Sequence, residues 1–562
     1  MMHWGPAPLP GGGTRFHLWA PDADAVTLEI DGGAAAAMER DADGWFALDR
    51  AEGPGTRYRF RIAGQAVPDP ASRGQSGGVH GWSVVQATDH DWQHPEWRGR
   101  PWHEMVILEC HAGTSGGFTA LTERLPAIAA AGITAIELMP VGAFGGTRGW
   151  GYDGVLPYAV QEDYGSPAEL RRLIDAAHGV GLSVFLDVVY NHFGPDGNYL
   201  GSYASGFFDA AVDTPWGGAV AVTREPVARF FIDNALMWLR DYRIDGLRFD
   251  AVHAIGNPAF LDTMAGEIRA ALPGRHVHLV LENEENDAAR LRDGGYDAQW
   301  NDDFHNVMHV LLTGETSAYY ADFADRPAER LARCLSEGFI YQGEGSTNHD
   351  GKPRGTPSAH LPPTRFVAFL QNHDQVGNRA MGERLVSLTD AAKLRAATAL
   401  LLLSPQVPLL FMGEEEGSAT PFLFFTDFHD ELADAVREGR RREFAKFDAF
   451  SDPEARARIP DPNAVTTFEA SVPQPGADAA AWRDLYSRLL RLRRERIVPH
   501  LPGTQAVGAQ VLGEAAVVAR WRLGDGSTLG VAVDLGDEPA TLPGSADPFF
   551  TDGERFVAWI EA

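Results

Sequence analysis

The 562 residues are too many for one hydrophobic core, and 44% hydrophobic with 22% charged residues describe an ordinary soluble chain of about two to four domains. The 48 basic and 77 acidic side chains give a net charge of −29, which argues against nucleic acid or an anionic membrane as partner and suits a neutral substrate. Met1 to Pro10 lacks a basic segment followed by an apolar one, and no run approaches about 18 apolar residues, so the sequence predicts a cytoplasmic protein with no membrane partner.

Residues 1–95 read as a β-sandwich. Thr14–Ala20, Ala25–Ile30, Gly44–Leu48 and Thr56–Ile62 alternate apolar with polar residues and are separated by turn signals. His94 to Pro101, rich in Trp, Pro and Arg, reads as a linker. From Met105 the pattern changes to short apolar runs alternating with helical stretches. The runs are Val106–Glu109, Ile133–Pro140, Ser183–Asp187, Gly246–Asp250, Val277–Glu282, Ala298–Asp302, Arg365–Asp374 and Pro408–Glu414. Each is too apolar for a one-sided sheet, so parallel strands buried on both faces are expected. Eight such βα units over 96–498 predict a TIM (β/α)8 barrel, an α/β fold whose functional residues sit at the C-terminal strand ends. The last barrel helix, Trp482 to Arg496, turns Leu485, Leu489 and Leu492 inward and carries six arginines, mostly outward, as a solvated face. A small C-terminal β domain, 499–562, alternates again over Ala516–Trp521 and Leu529–Val533. Cys110 and Cys334 read as buried free thiols, and no CxxC or HExxH pattern suggests a metal.

The stretch Gly246-Leu247-Arg248-Phe249-Asp250-Ala251-Val252-His253 carries the chemistry. On a strand, Arg248 and Asp250 point the same way, and a guanidinium beside a carboxylate keeps it ionised and fixed, as a nucleophile requires. Alone, the run reads equally well as a structural ion pair. Three companions shift the balance toward an active site: Asp187–His192, Leu281–Glu284 and Gln371–Asp374 each end an apolar run in acids, two of them with a histidine.

Together these stretches resemble the signature regions of the α-amylase superfamily of retaining glycoside hydrolases. Arg148–Gly154, Asn191–Leu200, Phe369–Arg379 and Met412–Glu415 followed by Thr420-Pro421-Phe422 narrow the resemblance to the maltooligosyltrehalose trehalohydrolase family within it. The resemblance implies Asp250 as nucleophile, Glu282 as general acid and then base, and Asp374 as stabiliser of the distorted sugar. It further implies substrate contacts from Tyr152, His192, Arg248, His253, His373 and Gln375, with Asp187 bracing the site. The substrate implied is a neutral α-glucan oligosaccharide ending in trehalose. Retention needs two carboxyls about 5–5.5 Å apart, one ionised and one protonated, so Arg248 is expected to lower Asp250 while apolar and acidic neighbours raise Glu282. Glu284 and Glu285 would serve the second purpose if they point inward; solvated loop charge is the equal alternative.

Three features bear on the rest of the site. Only about 30 residues separate His192 from the Pro226 helix, where many α-amylases insert a calcium-caging subdomain, so no metal and no cofactor are expected. Glu416 stands where relatives often carry an aromatic, and the polar, Gly-rich stretch Gly343 to Gly355 reads as a mobile loop. The rival functions are a glycogen branching or debranching enzyme of the same superfamily and a catalytically inactive glycan-binding protein. The intact set of acids speaks against the inactive reading. Oligomeric state is left open.

Overall fold

The eight apolar runs form eight parallel strands that close on themselves. In the computed structural model, which describes residues 4–214, 217–445, 450, 452–538, 540–543 and 547–562, these are β1 (Ile107–Cys110), β2 (Ala135–Leu138), β3 (Ser183–Val188), β4 (Gly246–Phe249), β5 (His278–Leu281), β6 (Ala298–Trp300), β7 (Phe366–Ala368) and β8 (Val407–Phe411). Each pairs with its neighbours in sequence, and β8 returns to β1. Residues on the strands alternate between two cores. Leu108, Ile136, Val184, Leu247 and Leu279 face the surrounding helices. Ile107, Ala135, Phe185, Val280, Ala298, Val367 and Leu409 fill the barrel interior. The same period of two carries the interior one layer further up to Glu109, Glu137, Asp187 and Arg248, and the register sets Glu109 beside Glu137 and Asp187 beside Arg248. The change from apolar to charged within the interior is what turns a packed barrel into a site at one end.

The strands are shorter than the sequence runs. The run from Arg365 to Asp374 contributes only Phe366–Ala368 to the barrel; the chain then turns, and Asn372 caps a short helix, His373–Gly377. After β8 the turn comes at Gly413, whose φ of +88° is one that residues with a Cβ rarely adopt.

The N-terminal strands make two facing antiparallel sheets, one around Thr14–Trp19 and Trp45–Arg50 and one around Val26–Ile30 and Arg57–Ile62, with Phe16 and Tyr58 meeting edge to face at 4.7 Å. Trp4 locks them to the barrel: its indole N–H donates to the Pro226 carbonyl at 2.9 Å and its ring meets Phe230 at 5.0 Å. The stretch expected to be a linker is bound instead. Trp97 stacks on His178 and donates to Asp245, and Arg100 donates to the Gly181 carbonyl, so this segment covers the lower mouth of the barrel. A five-stranded antiparallel sheet ends the chain, and Trp521 donates from it to the Leu335 carbonyl at 3.1 Å.

The last long helix, Ala479–Leu492, buries Leu485 and Leu489 as expected, and Leu492 partly. One of its arginines departs from the solvated-face reading. Arg493 is buried and donates to the carbonyls of Leu402, Ser404 and Gln406 at the end of the apolar helix Ala391–Leu403. The carbonyls of Leu402 and of the capping Ser404 are ones that the helix leaves without partners, and a cation there also meets the negative end of its dipole. Both cysteines are buried and free. Among the described residues no helix is long and apolar enough to cross a membrane.

Candidate active site

Arg248, 1% exposed, is the hub of the charged layer. Its Nη1 donates to Asp187 at 2.6 Å and to Asp250 at 2.9 Å, while Nη2 lies 2.9 Å from Glu282. The guanidinium rests over the Trp300 ring at 4.2 Å, an aromatic floor that a planar cation fits well. Three carboxylates on one guanidinium also repel one another, so only a rigid frame keeps them together.

The backbone supplies that frame. Leaving β4 and β5, the chain continues the ladder: the Glu282 N–H donates to the Phe249 carbonyl and the Val252 N–H to the Glu282 carbonyl, both at 3.0 Å. Ala251 between them sits in the left-handed region, φ 40° and ψ 51°, at a cost of about 1–2 kcal/mol for a residue with a Cβ. That turn aims its N–H at Glu282 Oε2, 2.7 Å away. Asn191 Nδ2 donates to Asp250 Oδ2 at 3.2 Å, and the same side chain holds His192 Nδ1 at 2.7 Å. His192 Nε2 in turn meets the Tyr152 carbonyl at 3.0 Å. Tyr152 donates its hydroxyl to Asp187 at 2.5 Å and stacks on His373 with ring centres 4.9 Å apart. His373 is fixed twice by Glu109, at its backbone N–H (2.8 Å) and at Nδ1 (2.5 Å). Asp374, next along the short capped helix, accepts from Asn378. Gln375 reaches Asp302 at 3.4 Å.

The structure thus gathers Tyr152, Asp187, His192, Arg248, Asp250, Glu282, His373, Asp374 and Gln375 at the C-terminal ends of the barrel strands. His253 lies on the short helix after β4 and bonds to the β5 loop. Among the described residues no group of three or more His, Cys, Asp or Glu side chains is arranged to hold a metal ion.

Sequence reasoning passed over four members of the layer. Glu109 and Glu137 are single acids inside apolar runs and show no local partner; the partner of Glu109 is 264 residues away. Trp300 looks like ordinary core. Asp302 follows β6 without a histidine or arginine beside it.

Electrostatics differ from expectation in one respect. Glu284 and Glu285 do not crowd Glu282; both are exposed. Burial and the neighbouring Glu282 push the Asp250 carboxyl well up, and the Arg248 guanidinium with the Ala251 N–H overcomes burial to hold Glu282 down. Arg248 therefore serves both acids, where the sequence leads one to expect it to lower Asp250 alone. Burial, then Glu282 and Asp374, push Asp302 well up. Burial, then Asp187 and Glu109, push Glu137 well up. Burial opposes a charge on His373, yet Glu109 overcomes it and raises the imidazole above its ordinary value, whereas burial lowers His192 to about 4. Of the two imidazoles, then, His373 is shifted toward its charged form and His192 toward its neutral one.

Comparison with known proteins places this arrangement. The catalytic-domain model of the alpha-amylases matches residues 83–209, and a domain of unknown function, DUF3459, matches 504–555. A malto-oligosyltrehalose trehalohydrolase of Deinococcus radiodurans is 43% identical over 512 residues, covering 88% of this chain and 84% of its own. One from Rhizobium sp. is 39% identical over 583 residues, covering 97% and 95%. A crystal structure from Salmonella typhimurium, provisionally described as an alpha-amylase, superposes with a TM-score of 0.94 at 42% identity over 100% of this chain and 99% of its own. With this identity running through the whole chain, on a closed barrel whose strand ends bring Asp250, Glu282 and Asp374 into one charged layer, the chain belongs to the malto-oligosyltrehalose trehalohydrolase family of the alpha-amylase superfamily.

Proposed function

We propose that the protein hydrolyses the α-1,4 bond next to the terminal trehalose of maltooligosyl trehalose, with retention, releasing trehalose and a maltooligosaccharide. The observation that carries this reading is the single guanidinium of Arg248 shared by Asp250 and Glu282, in a chain of this family. In the first step Asp250 attacks the anomeric carbon while Glu282 gives its proton to the departing glycosidic oxygen. In the second, Glu282 takes a proton from water as the water oxygen displaces Asp250. Asp374 and His373 bond hydroxyls of the reacting glucose, and Tyr152 lies beneath its ring.

The proton order follows from where Glu282 points. To reach a glycosidic oxygen it must leave Arg248 and the Ala251 N–H, the two contacts that hold it down. Released, its carboxyl rises to the desolvated value of a buried acid, and Arg248 is left to Asp250 and Asp187. The proton then belongs to Glu282 and the charge to Asp250, as general acid and nucleophile require. Asp187, held by Tyr152 and Arg248, keeps the guanidinium in place through that exchange.

Chromatographic product analysis on maltotriosyl trehalose and maltopentaose, which contain the same number of glucoses, tests the reading. Trehalose as the disaccharide product, with much higher kcat/KM on the first substrate, is expected. Equal rates on both, or new α-1,6 branch points in the products, would overturn it, the latter in favour of a branching enzyme.

A further inference from the structure

The stretch 343–355, expected from its composition to be mobile, is a small hairpin of Glu344–Gly345 against Pro353–Arg354 fastened to the loop that follows Glu282. Arg354 Nε donates to the Glu284 carbonyl at 2.8 Å, and Nη1 pairs with the buried Asp303 at 3.0 Å. Ser346 donates its hydroxyl proton to Asp322, whose other oxygen takes the Thr347 N–H at 2.8 Å. With that proton committed, the Ser346 oxygen accepts from His349 Nδ1 at 2.9 Å. His349 Nε2 then stands 3.4 Å from Glu284 Oε1 and donates to it when the ring carries a proton on both nitrogens. The second oxygen of Glu284 is 3.6 Å from His253 Nε2, and His253 Nδ1 accepts the Glu284 N–H at 3.3 Å, which leaves the His253 proton on the nitrogen facing the carboxylate. The two oxygens of Glu284 thus face a histidine three residues past Asp250 and a histidine on the hairpin, although its side chain is 57% exposed.

The chemistry fixes which side of the site this is. A general acid touches the oxygen of the leaving group, so the departing sugar lies against the loop that follows the acid. Glu284 is two residues beyond Glu282 on that loop, and the hairpin stands over it. From this geometry, and resting on the substrate reading above, we infer that Glu284 and His349 determine specificity. They tie the hairpin across the leaving-group side, where it closes the path of a continuing α-1,4 chain and leaves room for a terminal two-sugar group. The hairpin reaches the acid loop by two independent ties, Arg354 to backbone and His349 to side chain, so it is a wall with a removable latch.

The latch is tested with Glu284→Gln, which keeps shape and removes the charge both histidines face, and with His349→Ala, which removes one partner. An exposed ion pair is worth up to about fivefold in a closed population. On maltopentaose, kcat/KM is expected to rise about threefold in His349→Ala and about tenfold in Glu284→Gln, with the preference for maltotriosyl trehalose falling accordingly. A gain on the linear chain is a result that mere damage to the fold does not give. A discriminating wild type whose preference neither variant lowers, or variants that lose rate equally on both substrates, would overturn the latch. A wild type that does not discriminate overturns the substrate reading instead.

Discussion

Arg248→Lys separates charge from geometry at the centre of the site. The guanidinium reaches Asp187 and Asp250 from one nitrogen and Glu282 from the other, and it lies flat over Trp300. An ammonium keeps the charge but is a point, so at least one of the three carboxylates loses its partner. A hydrogen bond to a charged group is worth about 1.5–3 kcal/mol, so kcat at neutral pH should fall about 10- to 150-fold. The pH dependence carries a sign as well. Asp250 is already pushed well up, and Arg248 is among the contacts that oppose this, so weakening it raises Asp250 further. The ionised nucleophile then appears only at higher pH, and the acid limb of the rate profile should move upward, with part of the loss regained in alkaline buffer. Initial rates from acid to alkaline pH, with circular dichroism to establish folding, make the measurement. A lysine variant within threefold of wild type at neutral pH, with an unmoved acid limb, would refute the view that this guanidinium governs the pair.

Asp250→Ala removes the nucleophile and Glu282→Gln the transferable proton, and each should cost roughly 10³-fold or more in kcat; near-normal turnover by Glu282→Gln would move the acid elsewhere. Glu109→Gln should destabilise the fold by about 1.5–3 kcal/mol through its bonds to His373. Because the His373 pKa is raised in the folded state, the charged ring's contribution is full below about pH 6.5 and is lost as pH rises through the folded value. Thermal midpoints of this variant and wild type should therefore converge on going from acid to alkaline pH, and a constant gap would remove His373 as the cause. Activity should survive exhaustive chelation, since the segment between His192 and the helix Glu225–Asp241 is short for a calcium cage; loss restored by calcium alone would show otherwise.

Much of this was legible in the sequence because burial on both faces leaves a plain mark. Runs such as Ser183–Asp187 and Pro408–Phe411 have no polar alternation, and all eight became barrel strands. Asp187, Asp250, Glu282 and Asp374 were legible for the same reason, since charge after an apolar run is conspicuous. Glu109 and Glu137 were not, because their surroundings come from other strands and the runs around them look like core. The hairpin's anchors were hidden for a related reason. A Gly-rich polar segment looks mobile until its anchors are known, and Arg354 finds the Glu284 carbonyl 70 residues earlier in the chain. Strand ends were overrun wherever a buried helix or turn continued the apolar pattern, as at Phe369 and Leu370. That Arg248 also reaches Glu282 was not legible, because a sequence shows which acid lies beside an arginine on its own strand, and not which acid approaches it from the next.

The buried Arg493 has a consequence for the order in which the molecule is made. Its guanidinium collects the carbonyls of Leu402, Ser404 and Gln406, immediately before β8, the strand that closes the barrel against β1. On the ribosome those carbonyls emerge 91 residues ahead of the side chain that satisfies the first of them. At typical elongation rates that is an interval of about 5–20 s. During it β8 can already pair with β1, but the helix end behind it has no partner for its carbonyls. The cylinder is latched from outside, by an element synthesised after all eight of its staves.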